Sequence, residues 1–512
     1  MIRPVNPSSE VELKFQIASG EVDTIAAHSI FAHKATKVQL QSVYYDTPDW
    51  TLRRGGIGLR VRLKDGVFTQ TIKRQGTLGL FDRDEWETEI GGSTPDPSAW
   101  TGTPIDSVLS AKRIGSLAPI FTTNVRRTVR LVRENKSLVE VSLDQGELVA
   151  GELREPIEEV ELELKHGNVA CLFALARRLA AHAIVRLSFE SKAERGYRLL
   201  GGDALAPHEA QPTKIPKDMT VAQAFTQVAR SCIAQVTDNA LLLRRVRDPE
   251  VLHQLRIGLR RLRAASATFK PMLSCETLDR LKSESHWLST ELDPARDLDV
   301  FIENTLPSAK QAASEKRTQA AFGDRLLQAR ASAYDRALAA VNSKRFANFV
   351  LNCAEWETSA LSGQNNRRAL AGLHDSGASI LATKALNRLY RQLRKSCKHL
   401  KTLGPIRRHR ARVKAKKLRY AAEFFAGSFG KGMKKKQRQR FIGALDALQN
   451  ALGDLNDMAM ARKTALAVVG RSAPLAFHAG RLIGKQERDA PHLLAKAVHV
   501  CDRWQHAKPF WL

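Results

Sequence analysis

Two carboxylates and an ammonium alternate with apolar residues at Glu10-Val11-Glu12-Leu13-Lys14. A strand has a side-chain period of two, so Glu10, Glu12 and Lys14 share one face. An interior-facing pair of carboxylates is costly unless positive charge lies against it, and a divalent metal meets that need. The same parity recurs at Arg60, Arg62 and Lys64, at Arg83, Glu85, Glu87 and Glu89, and at Glu159, Glu161, Glu163 and Lys165. Several strands charged on one parity predict a closed sheet around a charged lumen. Glu10, Glu12, Asp144, Glu161 and Glu163 offer hard oxygen ligands suited to Mg2+ or Mn2+. Lys14, Arg60, Arg62, Lys73, Arg83, Arg127 and Lys192 offer cations to phosphate oxygens, guanidinium as a fork and ammonium as a point charge. Metal-assisted attack of water on a terminal phosphate is the chemistry such a lumen favours. Glu10, Glu12, Lys14, Lys73, Glu161 and Glu163 are its candidate catalytic residues.

A second constellation lies far downstream. His253, Arg256, Arg260, Arg261 and Arg263 are matched offset for offset by His409, Arg412, Lys416, Lys417 and Arg419. Omitting Arg261 and Lys417, each set is spaced 3, 4 and 3 residues apart, which is one side of a helix. The apolar positions match too: Leu255, Leu259, Leu262 and Phe269 against Ala411, Ala415, Leu418 and Phe425. Like charges on one stripe repel, so a bound polyanion relieves a standing cost. Asp297 and Asp457 hold equivalent places in the following segments and are candidate ion-pair partners for the arginines.

These residues need elements to carry them. Residues 8–200 read as strands joined by turns: Val38–Asp46, Gly58–Lys64, Val67–Arg74, Asp84–Ile90, Asn124–Arg133, Ser137–Leu143 and Glu158–Lys165 follow the first. Val169–His182 reads as a helix with an Ala/Leu face. Residues 201–217 are rich in Gly, Pro and Ala and read as a linker. From 218 to 512 the periodicity is helical, and the matched sets divide it into repeat halves of about 218–375 and 376–512. The expected fold is therefore multidomain α+β: an antiparallel β tunnel over 1–200, then an all-α bundle with internal duplication.

Of the net charge of +28, about +1 belongs to residues 1–200 and about +27 to the rest. A surface that basic implies a polyanionic partner. The run Lys434–Lys436 with Arg438 and Arg440 lacks interleaved aromatics, and only 6% of the chain is aromatic, which disfavours single-stranded nucleic acid. No apolar run reaches the ~18 residues of a membrane span, and no N-terminal targeting segment is visible; the expectation is a cytoplasmic protein with no membrane partner. The six cysteines are scattered, with no CxxC, and are expected to be reduced.

The strand-domain motifs resemble those of the CYTH domain, the triphosphate tunnel metalloenzymes. Glu10–Lys14 looks like its ExExK signature. Tyr44–Pro48, Leu52–Arg62, Ser142–Gly146, Glu158–Leu164 and Ser191–Tyr197 resemble its later blocks, in order. The resemblance implies an eight-stranded antiparallel tunnel that binds a triphosphate with Mg2+ or Mn2+. It places Glu10, Glu12, Asp144, Glu161 and Glu163 at metal and water-activating sites. Lys14, Arg60, Arg62, Lys73, Arg83, Arg127 and Lys192 fall at substrate contacts. Residues 218–510 resemble the CHAD domain, a helical module with histidines and basic residues. That resemblance implies inorganic polyphosphate as the ligand of both stripes and, by extension, association with polyphosphate granules. The domain order is similar to that of two-domain inorganic triphosphatases. A non-catalytic granule-binding protein is the rival reading. A tunnel enzyme acting on nucleoside or thiamine triphosphate, or an adenylate cyclase, is another.

Overall fold

The computed structural model describes residues 8–512 except 19, 32–34, 76–81, 184, 189, 202–205, 211–212, 214, 217–218, 270–275, 306–312, 363–377 and 430–432. The chain forms two compact units, residues 1–206 with 347–359, and residues 207–346 with 360–512.

The first unit is built on β1 (Ser8–Ile17), β2 (Thr36–Asp46), β3 (Ile57–Lys64), β4 (Val67–Gln75), β5 (Asp82–Ile90), β6 (Ala118–Glu134), β7 (Ser137–Ala150), β8 (Leu153–His166) and β9 (Val185–Ser188). Neighbouring strands pair antiparallel, in the order β5-β4-β3-β2-β6-β7-β8-β1, and β5 pairs back onto β1 to close the ring. The sheet has nine strands, where eight were expected. The ninth, β9, takes the edge of β1 at residues 14–17, just beyond the stretch that β5 occupies at 8–11. Its four residues, Val185-Arg186-Leu187-Ser188, are too short a run to stand out as a strand in sequence.

Helices α1 (Val22–Ala26), α2 (Thr51–Arg54), α3 (Ile105–Val108), α4 (Ala111–Ile114), α5 (Ala170–His182) and α6 (Lys192–Leu199) complete this unit with part of a later helix. Leu172, Leu175 and Leu179 of α5 are fully buried against Leu13 and Phe15 of β1 and Val141 and Leu143 of β7. Leu351 and Ala354 join that core, and Arg177 pairs with Glu355. A second core, with Leu40, Tyr44, Phe121, Val125 and Tyr197, packs α6 against β2 and β6. Asp46 anchors that end: it accepts from the Leu52 and Arg53 backbone N–H groups and from the Tyr197 hydroxyl at 2.6 Å. A capping box at Ser191 and Glu194 starts α6 and so sets where Lys192 points. Gly196 is required by the close approach, since a Cβ there would lie 2.3 Å from the Phe121 ring. Gly196→Ala is expected to cost about 1–3 kcal/mol, the scale of overpacking, read by denaturant unfolding.

The remaining helices are α7 (Val221–Leu243), α8 (Pro249–Phe269), α9 (Glu276–Thr305), α10 (Ala313–Val341), α11 (Lys344–Ser362), α12 (Ala378–Cys397), α13 (Pro405–Phe424), α14 (Met433–Val469), α15 (Ala473–Arg488) and α16 (Ala490–His506). In the second unit α7, α8 and α9 pack in sequence, as do α12, α13 and α14, and α8 meets α13. The two sets repeat one supersecondary unit. All eight matched apolar positions are buried, and the equivalent rings Phe269 and Phe425 lie 5.5 Å apart.

The cysteine expectation is corrected here. Cys397 at the end of α12 and Cys501 in α16, 104 positions apart in sequence, form a disulfide with Cα atoms 5.9 Å apart. Nothing in their spacing shows that these two helices run side by side. Cys171, Cys232 and Cys353 are buried and lie outside that disulfide, and Cys275 lies outside the described residues. Among the described residues no helix is long and apolar enough to cross a membrane.

Candidate functional site

Pairing register puts the lumen charges opposite one another. Glu12 faces Glu163 and Lys14 faces Glu161 across β1–β8; Arg127 faces Asp144, which faces Glu159, across β6–β7–β8. The centre is a buried carboxylate trio, Asp144 and Glu159 with no exposure and Glu161 at 8%. One oxygen from each lies within 4.8 Å of the others. The Lys192 ammonium sits on all three, at 2.8 Å from Asp144, 2.8 Å from Glu159 and 2.9 Å from Glu161. Arg127 forks onto both oxygens of Asp144 at 2.7 Å and reaches Glu161 at 2.5 Å. Lys14 approaches Glu161 at 3.1 Å and Glu12 at 3.6 Å.

Electrostatics favour the ionised forms of Glu161 and Asp144. Burial alone would raise Glu161, but Lys14, Lys192 and Arg127 hold it well below the usual carboxylate range. Asp144 is likewise lowered, with burial outweighed by Lys192 and Arg127. Lys192 would be lowered by burial, yet Asp144, Glu159 and Glu161 hold it well above the ordinary lysine value. Folded values of the two carboxylates lie below their unfolded ones. Their contribution to stability is therefore present above about pH 4 and lost as pH falls through the folded values.

Further along the lumen, Arg60 and Arg62 lie across from Tyr44 and Ser42 of β2. Lys73 reaches Glu85 at 3.1 Å, and Arg60 lies 3.6 Å from Glu85 and 3.7 Å from Glu87. Arg62 is pulled down to about 10 by burial and then by Arg60 and Arg127, the mark of crowded positive charge. Among the described residues the buried Arg60 Nε finds no hydrogen-bond partner. Glu10 pairs in register with Arg83. Glu163 lies toward the outer end of β8, where it accepts from Lys165 at 2.6 Å.

Two residues of this centre escaped the sequence-derived set. Glu159 shares the parity of Glu161 but could not be ranked above Glu163 without the register. Arg195, one turn along α6 from Lys192, is buried, pairs with Glu159 and Glu155, and donates to the Pro156 carbonyl. Its presence in the Ser191–Tyr197 block was the available signal.

In the helical unit, His253, Arg256, Arg260 and Arg263 form a half-buried stripe on α8, and Arg412 and Lys416 face it from α13. Among the described residues, the buried Nε atoms of Arg260 and Arg412 and the Nδ1 of His253 find no hydrogen-bond partner. Lys416 is pulled down to about 6 by burial and then by Arg260, Arg412 and Arg256, against Asp457. His253 is pushed to about 3 by burial and by Arg296, Arg260 and Arg256. Arg256 pairs with Asp293 at 2.6 Å, a partner that sequence matching passed over, while Asp297 acts on it at longer range.

Other members of the set sit apart. Arg261 is buried on another face of α8, donating to Gln235 at 2.8 Å. Lys417 is exposed, near Lys282, Arg263 and Arg388. Arg419 pairs with Glu423 and Asp446 at 3.2 and 3.3 Å. His409 is exposed and holds Asn456 at 2.6 Å.

Known proteins share both halves. Residues 8–197 match the CYTH domain and residues 227–466 match the CHAD domain. Over 198 residues, 37% of this chain, the sequence is 37% identical to the inorganic triphosphatase of Haemophilus influenzae, and the match spans 54% of that protein. The crystal structure of the CHAD domain from the plant Ricinus communis is similar at TM-score 0.52 and 24% identity, over 59% of this chain and 98% of that one. At that identity the likeness concerns the fold alone. The chain is a two-domain protein in which a CYTH domain is followed by a CHAD domain.

Proposed function

We propose that the tunnel unit hydrolyses inorganic triphosphate to diphosphate and phosphate with Mg2+ or Mn2+, and that the helical unit binds inorganic polyphosphate. The observation that carries the first reading is the closed ring that sets a buried carboxylate trio against lysine and arginine on every side. The trio fits a divalent ion: three hard carboxylate oxygens within 4.8 Å already hold one cation, the Lys192 ammonium. When bound, the metal supplies Lewis acidity and lowers the pKa of a coordinated water. Asp144, Glu159 and Glu161 would hold it, and the depressed values of Asp144 and Glu161 leave no proton to be displaced from those two. Lys14, Arg60, Arg62, Lys73 and Arg127 bind and align the phosphate chain and balance charge on the leaving diphosphate. Arg127 and Arg195 orient the carboxylates through their forks. Phosphate release from triphosphate, ATP, thiamine triphosphate and long polyphosphate, each with Mg2+ or Mn2+, tests this. Inorganic triphosphate should show the highest kcat/KM; higher values for ATP would transfer the enzyme to nucleotide chemistry, and no turnover would leave a binding protein.

The polyphosphate reading is supported by the half-buried cations with unpartnered nitrogens on α8 and α13. It carries a proton signature. Above pH 6 the free Lys416 is mostly neutral, and a polyanion against it restores its usual basicity, so binding takes up a proton. Polyphosphate titrations at pH 7.5 in buffers of different ionisation enthalpy should show an uptake of nearly one proton. Lys416→Arg, charged throughout, should abolish it.

A further inference from the structure

The tunnel unit carries a cavity of about 600 Å³ that the lumen chemistry does not use. Arg130 and Val132 of β6 line it and have the opposite parity to Arg127, so it opens on the other face of the sheet from the trio. His28, Ser29 and Ile30 line it after α1, and Arg178 and His182 line it from α5. Among the described residues none that lines it is acidic.

The hydrogen bonds fix what each group can offer. The Ile30 N–H donates to His28 Nδ1 at 3.1 Å. That nitrogen is an acceptor, so the neutral ring carries its proton on Nε2 and presents a donor. Burial, then His182 and Arg178, hold His28 below the ordinary histidine value and keep it in that neutral form. His182 places Nδ1 2.9 Å from the Arg178 carbonyl, which can only accept. Its Nε2 therefore donates once the ring is protonated. The two rings meet edge to face with centroids 4.6 Å apart. A metal would need both Nε2 lone pairs, and that of His28 is protonated; an anion needs donors. Arg130 clamps the backbone beneath, donating to the Ser29 and Ile30 carbonyls at 2.7 and 2.5 Å. Arg178 has one nitrogen on Glu134 at 3.0 Å.

We propose that this cavity is a second anion site of the tunnel unit, for a small organic phosphate whose head meets His28, His182 and Arg178 and whose apolar body lies over Ile30 and Val132. His28 and Arg178 are standing donors, and a phosphate that shares a proton with His182 Nε2 gains a third contact, which suits three phosphate oxygens better than the two of a carboxylate. The volume exceeds what a bare phosphate fills and lies within the range of small-molecule sites.

The full chain with isotope-labelled histidines tests this by NMR, with His28→Gln and His182→Gln assigning the two rings. Phenyl phosphate should shift both resonances saturably, with a Kd at least about fivefold below that of inorganic phosphate and of benzoate. Arg178→Gln should weaken phenyl phosphate about tenfold or more, with the other histidine resonances unmoved. Thr24→Glu, which sets a carboxylate on the rim, should weaken it similarly and serves if Arg178→Gln unfolds. The proposal is overturned by no saturable shift below about 50 mM phenyl phosphate, by equal shifts with chloride at matched ionic strength, or by a response to Zn2+ alone.

Discussion

Glu161→Gln is expected to lower kcat for triphosphate hydrolysis by about 10²-fold or more, the scale of losing one preorganised electrostatic group at a reacting centre. Glu161 is the carboxylate that Lys14, Arg127 and Lys192 share. Removing its charge takes away the one carboxylate common to all three cations and strips an oxygen ligand from the trio. Glu163→Gln, two residues along the same strand face, should cost less than about threefold, because Glu163 lies at the outer end of β8 against the partly exposed Lys165. Steady-state kinetics of both variants, with Mg2+ binding measured by calorimetry, make the comparison. Metal affinity should fall with kcat in Glu161→Gln. Equal effects of the two substitutions would move the reacting centre outward along β8, and near-normal turnover in Glu161→Gln would remove the trio from catalysis.

Reversing charge in the helical cleft should have the second largest effect. Arg256→Glu combined with Arg412→Glu in the full chain should weaken long polyphosphate by about 10²-fold or more. It should also flatten the slope of log affinity against log salt by about 2 or more, since fewer counterions are released. Lys417→Glu, exposed on the same helix as Arg412 but off the stripe, should change affinity less than about threefold. Fluorescence binding isotherms at several salt concentrations read all three. Loss of affinity in proportion to net charge, irrespective of position, would mean a diffuse basic surface rather than a cleft. Tighter binding of duplex DNA than of polyphosphate at equal charge would change the ligand class. Acid should destabilise the free cleft. His253 and Lys416 have folded values below their unfolded ones, so the unfolded chain binds protons that the folded chain refuses. The lysine's share of stability falls from about pH 10.5 to about 6, and the histidine's from about 6.5 to about 3.

The sequence by itself determined the elements and the chemistry they bring. Charge on one parity is a local property of a strand, and spacings of 3, 4 and 3 are a local property of a helix. Lys14, Arg60, Arg62 and Glu161 could therefore be named before any fold was known, and so could the α8 and α13 stripes, while the places of Arg127, Asp144 and Lys192 are what the family resemblance implies. Helical periodicity found the duplication because each copy repeats its own core positions, Leu259 as Ala415 and Leu262 as Leu418. Tertiary structure decided which of these residues meet. Parity cannot rank Glu159, Glu161 and Glu163, since all three point inward; only the register of β8 against β1 and β7 puts the first two beside Asp144 and the third toward the end of the strand. A cation at +8 matches in both copies of the repeat, yet helix packing buries Arg261 and exposes Lys417. The Cys397–Cys501 bond and the β9 addition to β1 also join chain segments whose separation carries no local signal. The physical reason is the same throughout. Side-chain period is written in neighbouring residues, whereas register, closure and helix contacts are set by which distant surfaces bury one another.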